Sequence, residues 1–322
     1  MRAWQIAELG APLDVMKPVE DADRPVPGPG QLLVEVRAAA VNFPDALMAA
    51  GLYQVRPPLP FTPGVELCGV VAEGPRTGER LIGTAQLPAG AFAEYALLDA
   101  ATALPAPESL DDAEAAALHI AYQTGWFALH RRARLAPGET LLVHAAAGGV
   151  GSAAVQLGKA AGAFVIAVVG GSEKAGVARQ LGADLVIDRK AEDFVAAVKA
   201  ATGGRGADVV FDPVGGAAYT GSTKCIAFEG RIVVVGFASG EIPAPALGHA
   251  LVKNYAVLGL HWGLYVAKDP DAVRDCHAAL TALAAAGQIR PLVSERVPLA
   301  AAADAVHRVA TGDSTGRIAV MP

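Results

Sequence analysis

A glycine-rich turn between residues 144 and 151 has the spacing that most clearly indicates chemistry. The surrounding segment, TLLVHAAAGGVGSAAVQLGKAAGA, combines an apolar strand, a tight turn and a helix. Gly148 lets the backbone approach a pyrophosphate and Gly151 lets the helix pack close to the sheet, while Ala146 replaces the first glycine of the fingerprint. Because free N–H groups at the helix start can face phosphates, we predict dinucleotide contacts from Ala147, Gly148, Gly149, Val150 and Gly151.

The end of the next strand predicts which nicotinamide cofactor binds. NAD enzymes carry an acidic residue there, about 20 residues after the turn, which binds the ribose 2′-hydroxyl. Here the strand Phe164–Val169 runs into glycines and a serine, and Glu173 comes late enough to open a helix. A hydroxyl and cations instead suit a 2′-phosphate, although exposed cations are often only solvated. We therefore predict NADPH, held by Gly171, Ser172, Lys174 and Arg189.

Apolar strands that alternate with amphipathic helices dominate the second half of the chain. This alternation predicts an α/β unit with a parallel sheet covered on both faces, of the doubly wound dinucleotide-binding type. The predicted strands are Thr140–His144, Phe164–Val169, Leu185–Ile187, Asp208–Asp212, Arg231–Gly236 and Ala256–Leu260. The predicted helices are Ser152–Ala161, Glu173–Leu181, Ala191–Ala201 and Gly216–Ala227.

The two ends of the chain have a different pattern. Residues 1–115 contain short strands punctuated by proline and glycine, which predicts a compact, mostly β unit. Beyond residue 261 the sequence predicts one long helix, Asp271–Ala286, and two short strands. Because these elements are too few to form a domain, we expect them to complete the first unit. The strands predicted in both end regions are Leu32–Ala38, Gly69–Glu73, Arg80–Thr84, Ala91–Leu98, Leu292–Val297 and Arg317–Val320.

Composition and charge exclude several other classes of protein. A formal net charge of −6 argues against a nucleic acid partner, because phosphate backbones bind to basic faces. No apolar run is long enough to span a bilayer, and the N-terminus does not resemble a signal peptide. The three cysteines are widely spaced, which indicates neither a disulfide framework nor a zinc cluster. We expect a cytoplasmic enzyme with no membrane partner.

Several motifs together resemble the zinc-free quinone oxidoreductase branch of the medium-chain dehydrogenase/reductase superfamily. AAAGGVG follows an apolar strand, and AAAVNFPDALMAAGLYQ, PLPFTPGVELCGVV, GERLIG and FAEYA resemble successive landmarks of the family's catalytic domain. The resemblance covers the whole chain. It implies a GroES-like catalytic domain of residues 1–119, completed by residues 261–322, and a Rossmann domain of residues 120–260. It also implies a homodimer formed through the edges of the Rossmann sheets.

One departure from the wider superfamily concerns metal binding. Zinc alcohol dehydrogenases carry a cysteine near the position of Asn42 and a Gly-His-Glu where this chain has Gly64-Val65-Glu66. Val65 cannot bind a metal, so we predict that no residue here is a metal ligand. Without a metal acting as a Lewis acid on a carbonyl, the hydride acceptor must already be electrophilic, as quinones and α,β-unsaturated carbonyls are.

The resemblance also implies site residues. Asn42 and Tyr53 are expected beside the nicotinamide, where either can donate a hydrogen bond to a developing enolate or quinolate oxygen. Either can instead be structural, with Asn42 satisfying a turn. We expect Asp45 to fix the local loop, and His144 to be paired with backbone rather than to act as a base. Near the cofactor the resemblance implies Thr124, then Gly236 and Phe237 at the end of the fifth strand, His261 and Trp262 at the return to the catalytic domain, and Arg317.

The leading hypothesis is an NADPH-dependent quinone reductase that transfers hydride to a small-molecule quinone. The nearest alternative is an enone or enoyl-thioester (enoyl-CoA) reductase on the same scaffold. The sequence shows no obvious basic cluster for a coenzyme A phosphate, which favours small free acceptors. A non-catalytic NADPH-binding protein is the alternative from another class. The presence of Asn42 and Tyr53 argues against it, whereas fold alone would not.

Overall fold

A computed structural model describes all 322 residues of the chain. The chain divides into an N-terminal unit, Met1–Ile120 with Arg290–Pro322, and a Rossmann unit, Ala121–Ile289. In chain order the elements are β1 (Ala3–Ile6), α1 (Pro12–Val15), β2 (Met16–Val19), β3 (Gln31–Ala40), α2 (Phe43–Ala49), β4 (Glu66–Glu73), β5 (Arg80–Thr84), β6 (Tyr95–Asp99), β7 (Leu104–Pro105), α3 (Asp112–Trp126), a π-helical turn (Phe127–Arg132), β8 (Thr140–His144), α4 (Gly149–Ala160), β9 (Phe164–Val169), α5 (Ser172–Gln180), β10 (Leu185–Asp188), α6 (Phe194–Ala201), β11 (Ala207–Asp212), α7 (Gly216–Ser222), β12 (Ile226–Val234), α8 (Leu247–Lys253), β13 (Ala256–Gly259), α9 (Gly263–Lys268), α10 (Pro270–Ala285), β14 (Val293–Pro298), a short 3₁₀ turn (Leu299–Ala301), α11 (Ala302–Thr311) and β15 (Arg317–Met321).

The N-terminal unit is built on a mixed sheet whose central strand is β3. The strand order is β14-β15-β3-β4-β5-β7, and β6 also pairs with β3. Strand β15 runs antiparallel to β3 and places Ala319 opposite Ala40. The N–H of Val41 extends this pairing by donating to the carbonyl of Ile318 at 2.9 Å. The last strand of the chain therefore closes the unit and brings Arg317 to the residues that follow β3.

The Rossmann unit is a six-stranded sheet in the order β10-β9-β8-β11-β12-β13, with all neighbouring strands parallel. This confirms the predicted doubly wound α/β fold. Every residue of β8 is buried, as expected for a central strand covered on both faces. Strand order reverses between β8 and β11, and ligands of such sheets bind at the carboxyl ends of the strands beside this point. His144 ends β8 and Asp212 ends β11 there.

One predicted helix is too long, and the helix α3 is not predicted. The predicted helix Gly216–Ala227 ends at Ser222, and Ile226 instead begins β12 opposite Ala207, because its buried side chain packs in the sheet core. No helix is predicted over α3, yet its residues 113–119 are all buried, so the helix has no polar face to reveal its period. No helix of the structure is both long and apolar enough to cross a membrane.

The second boundary between the units also differs from its prediction. The N-terminal unit first ends at Ile120, one residue from the expected boundary. Its second segment, however, begins at Arg290 rather than at residue 261. The reason is that α9 and α10 belong to the Rossmann unit. Asp269, between them, forms an ion pair with Arg131 at 2.8 Å, and the Tyr265 ring lies 4.2 Å from that of Phe127. Both partners lie in the π-helical turn.

Candidate active site

The glycine turn connects β8 to α4. Gly148 is the extended N-cap of the helix, and its N–H donates to the carbonyl of Ala145 at 2.8 Å. Gly151 follows in the first helical turn, where an added Cβ would lie 2.1 Å from the same carbonyl oxygen. No side chain fits there without moving backbone, because real Cβ atoms do not approach so closely. The close approach of helix and strand predicted for Gly151 is therefore present.

The helix α4 begins at Gly149, before the predicted start at Ser152. Gly149, Val150 and Gly151 thus form its first turn, where backbone N–H groups have no acceptor within the helix. Gly148, Gly149 and Val150 are partly exposed, whereas the Ala147 side chain is buried beneath them. The turn can therefore present N–H donors and the positive end of a helix dipole to a pyrophosphate.

The exit of β9 presents a cation where NAD-binding proteins have an acid. The Arg189 guanidinium lies over Gly170, because a Cβ added there would be 3.2 Å from its Nη2 atom. Gly171 has a φ of +108°, which favours glycine, and Ser172 begins α5 directly after it. The structure therefore brings Gly171, Ser172 and Arg189 to one corner, with Lys174 in the first turn of α5.

An acid from β10 also lies at this corner. The Oδ1 atom of Asp188 accepts the N–H groups of Gly171 at 2.8 Å and Lys190 at 3.0 Å. These backbone hydrogen bonds hold the pKa of Asp188 below its usual value. The carboxylate therefore fixes the loop that carries Gly171 and stays charged beside the Arg189 guanidinium.

His144 is buried beneath the turn. Its Nε2 atom lies 2.8 Å from the Ser222 hydroxyl, which itself donates to the carbonyl of Ala218 at 2.8 Å. A serine has one proton, so the histidine Nε2 must be the donor. Burial lowers the pKa of His144 to about 4, although the Asp212 carboxylate opposes the shift. His144 is therefore neutral at neutral pH, and its partner is a hydroxyl rather than the predicted backbone group.

Asp212 is a site residue that the sequence reasoning missed. It is fully buried at the end of β11, and its Oδ1 atom accepts the N–H groups of Val214 at 2.8 Å and Gly215 at 2.9 Å. Its Oδ2 atom has no hydrogen-bond partner in the structure. An acid at the end of a buried strand, followed by Pro-Val-Gly-Gly, is the signal that could have indicated it. Asp212 shapes the turn at the switch point of the sheet.

The residues expected near the nicotinamide fall on three segments of the Rossmann unit. Thr124 is buried on α3, next to Gly125, where a Cβ would lie 2.9 Å from Leu157 of α4. The indole N–H of Trp262 donates to the side-chain carbonyl of Gln123 at 3.1 Å. Trp262 is therefore anchored beside Thr124. His261 and Trp262 remain in the Rossmann unit, which corrects their prediction as the return to the other domain.

Gly236 and Phe237 lie in the loop after β12 rather than in the strand. The strand ends at Val234 because the following loop turns onto the exit of β11. A Cβ on Gly236 would lie 3.3 Å from the carbonyl of Pro213, and the Phe237 ring lies against Gly215. Phe237 keeps more than a third of its surface exposed. The ring can therefore contact a ligand at the carboxyl end of the sheet.

In the N-terminal unit, Asn42 and Arg317 belong to one buried polar cluster with Glu66. Both amide hydrogens of Asn42 are used, one to the carbonyl of Ala40 and one to Glu66 Oε2, each at 2.9 Å. Its Oδ1 atom accepts from Arg317 Nη1 at 2.9 Å. Arg317 also forms an ion pair with Glu66. Asn42 consequently has no amide hydrogen left for a substrate in this arrangement.

Burial shifts the pKa values of Glu66 and of the neighbouring Asp45. Burial raises the pKa of Glu66, and the guanidinium of Arg317 opposes this shift. Asp45 is fully buried, and burial raises its pKa to about 7 although it accepts N–H groups of Asn42 and Val65. Asp45 fixes the start of α2, as predicted, because its carboxylate binds the N-cap backbone.

Tyr53 differs from its neighbours in being half-buried. Partial burial and the charge of Asp45 both raise its pKa, so its hydroxyl stays protonated at neutral pH. The ring packs against the core of the N-terminal unit. No side-chain or backbone group in the structure bonds its hydroxyl. Tyr53 is thus the predicted substrate-side residue that keeps a proton to donate.

Family comparisons agree with this architecture. Residues 28–108 match the family described as "Alcohol dehydrogenase GroES-like domain", and residues 149–283 match the family described as "Zinc-binding dehydrogenase". At the position where zinc enzymes carry histidine, the described chain has the apolar Val65, and no group of three or more metal-binding side chains is present.

Three similar proteins extend the comparison. "Quinone oxidoreductase-like protein 2 homolog" of Nematostella vectensis is 37% identical over 99% of this chain and 88% of its own length. A solved structure of Escherichia coli quinone oxidoreductase complexed with NADPH is 30% identical, covers 100% of both chains and has a TM-score of 0.91. "Phthioceranic/hydroxyphthioceranic acid synthase" of Mycobacterium tuberculosis is 35% identical over 91% of this chain, which corresponds to 14% of that protein. The chain therefore belongs to the zinc-free quinone oxidoreductase branch of the medium-chain dehydrogenase/reductase superfamily, a family of oxidoreductases.

Proposed function

We propose that this protein is an NADPH-dependent reductase that transfers hydride to a quinone without using a metal. The observation that carries the proposal is the corner formed by Gly171, Ser172 and Arg189 at the exit of β9. A guanidinium stands there in place of the acid that would select NAD. The similarity to an NADPH-complexed quinone oxidoreductase over its whole length supports the same cofactor.

The residues present fit this cofactor at two places. The first turn of α4, from Gly149 to Gly151, would hold the pyrophosphate through backbone N–H groups. Ser172, Lys174 and Arg189 would hold the 2′-phosphate through charge-assisted hydrogen bonds. When bound, NADPH supplies a hydride from its nicotinamide ring. The acceptor must be electron-poor, because Val65 and Asn42 offer neither the imidazole nor the thiolate that a zinc enzyme would use.

On the acceptor side we assign different roles to Tyr53 and Asn42. The Tyr53 hydroxyl keeps its proton and would donate a hydrogen bond to the oxygen on which negative charge develops. Asn42 would act as a positioning residue, because its three side-chain bonds fix Arg317 and Glu66. The buried cluster would in turn fix the start of α2, the helix that leads to Tyr53.

The cofactor assignment is tested with the double variant Lys174→Ala/Arg189→Ala. We expect the KM for NADPH to rise at least about tenfold, because two charge-assisted contacts to the 2′-phosphate are lost. The KM for NADH should stay unchanged. Arg179→Ala/Lys199→Ala is the matched control, since both residues are exposed elsewhere on α5 and α6. An unchanged KM for NADPH in the first variant would make the phosphate assignment wrong.

The acceptor is tested by NADPH oxidation with 9,10-phenanthrenequinone, a simple enone and crotonyl-CoA. The proposal expects the highest kcat/KM with the quinone. A higher value with either of the others would replace the quinone by that class. If no acceptor oxidises NADPH although NADPH binds tightly, the protein is a non-catalytic NADPH-binding protein.

An enoyl-thioester reductase is the second candidate. It is favoured by the similarity of nearly the whole chain to one segment of an acid synthase. Such a protein handles acyl chains, whose α,β-unsaturated thioesters are electrophilic without a metal. The same Tyr53 hydroxyl would then stabilise a thioester enolate.

We also propose that the protein is a homodimer through the edge of the Rossmann sheet. Strand β13 has a neighbour on only one side, and an unpaired edge is a template for another strand. The adjoining α8 has no buried residue and exposes Leu247, Leu251 and Val252, each by more than three quarters. Contiguous apolar exposure beside an open edge indicates a protein interface.

A further inference from the structure

A basic pocket lies on the Rossmann unit beside β13. It has a volume of about 240 Å³ and is lined by three basic side chains, Arg132, His261 and Lys268, together with apolar groups that include Leu264 and Tyr265. We propose that this pocket binds a phosphate group carried by the hydride acceptor, as in a phosphopantetheine thioester. This inference rests on the second candidate under the proposed function, the enoyl-thioester reductase, because it names the class of acceptor for that reduction.

The charge of the pocket is not neutralised by the protein. No acidic side chain lines it, and neither Arg132 nor Lys268 takes part in an ion pair. The adjacent acid, Asp269, is already bound to Arg131 at 2.8 Å and caps α10 through the N–H of Ala272. Two unpaired cations in one concavity are suited to a ligand with at least one negative charge.

The pocket lies at the carboxyl end of β13, away from the strands to which the cofactor phosphates are assigned. His261 follows the carboxyl end of β13, and the next residue, Trp262, is anchored to Gln123 beside Thr124. The NADPH phosphates are assigned to the exits of β8 and β9, whereas β11 and β12 separate β13 from them in the sheet. A phosphate bound here would therefore be a second anion, distinct from those of the cofactor.

The wall of the pocket favours a ligand whose phosphate is attached to an apolar group. Leu264 is more than half exposed and Tyr265 partly exposed, so they offer apolar contact next to the basic side chains. The phosphate end of a phosphopantetheine arm has this pattern, because the apolar gem-dimethyl group of its pantoyl part lies next to the phosphate. In the reaction, the enoyl double bond gains a hydride at its β-carbon from NADPH and a solvent proton at its α-carbon, which leaves a saturated thioester and NADP⁺.

Sequence reasoning found no basic cluster for such a phosphate. Arg132 and Lys268 are distant in sequence, and neither has a motif around it. They meet only because α9 and α10 pack on the π-helical turn, as the contacts of Tyr265 and Asp269 show. The absence of a cluster in the sequence therefore does not argue against a phosphorylated acceptor.

The kinetic test compares three acceptors with the same enoyl group: crotonyl-CoA, crotonyl-phosphopantetheine and crotonyl-pantetheine, which lacks phosphate. In Arg132→Ala/Lys268→Ala, the KM for the two phosphorylated acceptors should rise about tenfold, because two charged contacts to phosphate are lost. The KM for crotonyl-pantetheine should not change. Equal increases for all three acceptors, or no increase, would overturn the proposal. Arg179→Ala/Lys199→Ala is the charge-matched control.

The two phosphorylated acceptors also separate the sources of the phosphate. A similar KM for both supports recognition of the phosphopantetheine phosphate, which a carrier protein also presents. A lower KM for crotonyl-CoA supports recognition of the nucleotide phosphates of free coenzyme A.

A binding measurement separates failure of the pocket from failure of the proposed function. Isothermal titration calorimetry of the NADP⁺-loaded protein measures the Kd for coenzyme A. This Kd should be about tenfold higher in Arg132→Ala/Lys268→Ala than in the wild type, whereas the Kd for pantetheine should be the same in both. If coenzyme A binding weakens in this way but no acceptor is turned over, the proposed phosphate pocket stands and the proposed reductase activity is wrong. Turnover of phenanthrenequinone with no binding of coenzyme A would retain the reductase and reject the pocket. Because β13 is also the proposed dimer edge, size-exclusion chromatography of each variant checks that assembly is unchanged.

Discussion

At the scale of single residues, the polar groups around Asn42 are of two kinds: a buried cluster whose members bind one another, and the Tyr53 hydroxyl, which is available as a hydrogen-bond donor. Asn42, Glu66 and Arg317 bind one another, whereas the Tyr53 hydroxyl has no protein partner. A buried ion pair is costly to break, since removal of one partner leaves an uncompensated charge. The cluster and Tyr53 should therefore respond to mutation in different ways.

Tyr53→Phe should lower kcat about 100-fold with the preferred acceptor, because a hydrogen bond to the developing oxyanion is lost. The KM for NADPH and the melting temperature should stay near those of the wild type. Asn42→Ala is the contrasting variant, and it should lower the free energy of unfolding by about 3 kcal/mol through three lost buried hydrogen bonds. Steady-state kinetics and thermal unfolding test both. A normal kcat in Tyr53→Phe would remove Tyr53 from the mechanism.

The raised pKa of Asp45 predicts a dependence of stability on pH. Asp45 binds its proton more tightly in the folded protein, where its pKa is about 7, than in the unfolded chain. Proton binding to Asp45 therefore stabilises the folded protein at low pH, and this stabilisation is lost as pH rises from about 4 towards 7. The wild type should lose stability relative to Asp45→Asn over this range, with a slope on the order of 1.4 kcal/mol per pH unit.

Melting temperatures of both proteins between about pH 5 and pH 8 measure this difference. Glu66 is present in both, so its own titration largely cancels. If the melting temperatures of the two proteins change in parallel with pH across the range, Asp45 is ionised throughout.

At the scale of elements, the junction of β8 and α4 depends on one glycine. Gly151→Ala would put a Cβ 2.1 Å from the carbonyl of Ala145, so it should lower the free energy of unfolding by about 3 kcal/mol and weaken NADPH binding. Gly176→Ala is the matched control in α5, where an added Cβ meets nothing within 4 Å. It should stabilise the protein by about 0.5–1 kcal/mol. Chemical denaturation and NADPH titration of both variants test this, and equal effects would contradict it.

At the scale of the whole molecule, the open edge at β13 predicts self-association. The wild type should elute as a dimer in size-exclusion chromatography with light scattering. Leu247→Asp/Leu251→Asp should elute as a monomer, because charges would be buried in the interface. Val26→Asp is the control, since Val26 is equally exposed but lies in the N-terminal unit. A monomeric wild type would contradict the proposed interface.

Local sequence pattern was sufficient for much of the fold. Most strands of the Rossmann sheet begin and end within two residues of their predicted bounds, because continuous apolar runs between glycines specify buried parallel strands. The pattern failed along α3, where buried residues on every side of the helix leave no alternation of apolar and polar residues. It also failed at Ile226, which was predicted to lie in a helix but belongs to strand β12. It also missed α11, although Ala302, Ala305 and Val306 are buried at helical spacing.

The sequence by itself determined the glycine turn after β8 and the Gly170-Gly171-Ser172 segment after β9. Both depend on neighbours along the chain, namely the glycines that permit close backbone approach and the strand that ends before them. Only the tertiary structure decided that Asn42 is bound to Arg317, that Asp212 lies at the switch point, and that Arg132 meets Lys268. These relations join residues far apart in sequence, and they arise because antiparallel pairing of β15 with β3, and packing of α9 and α10, fix distant segments side by side.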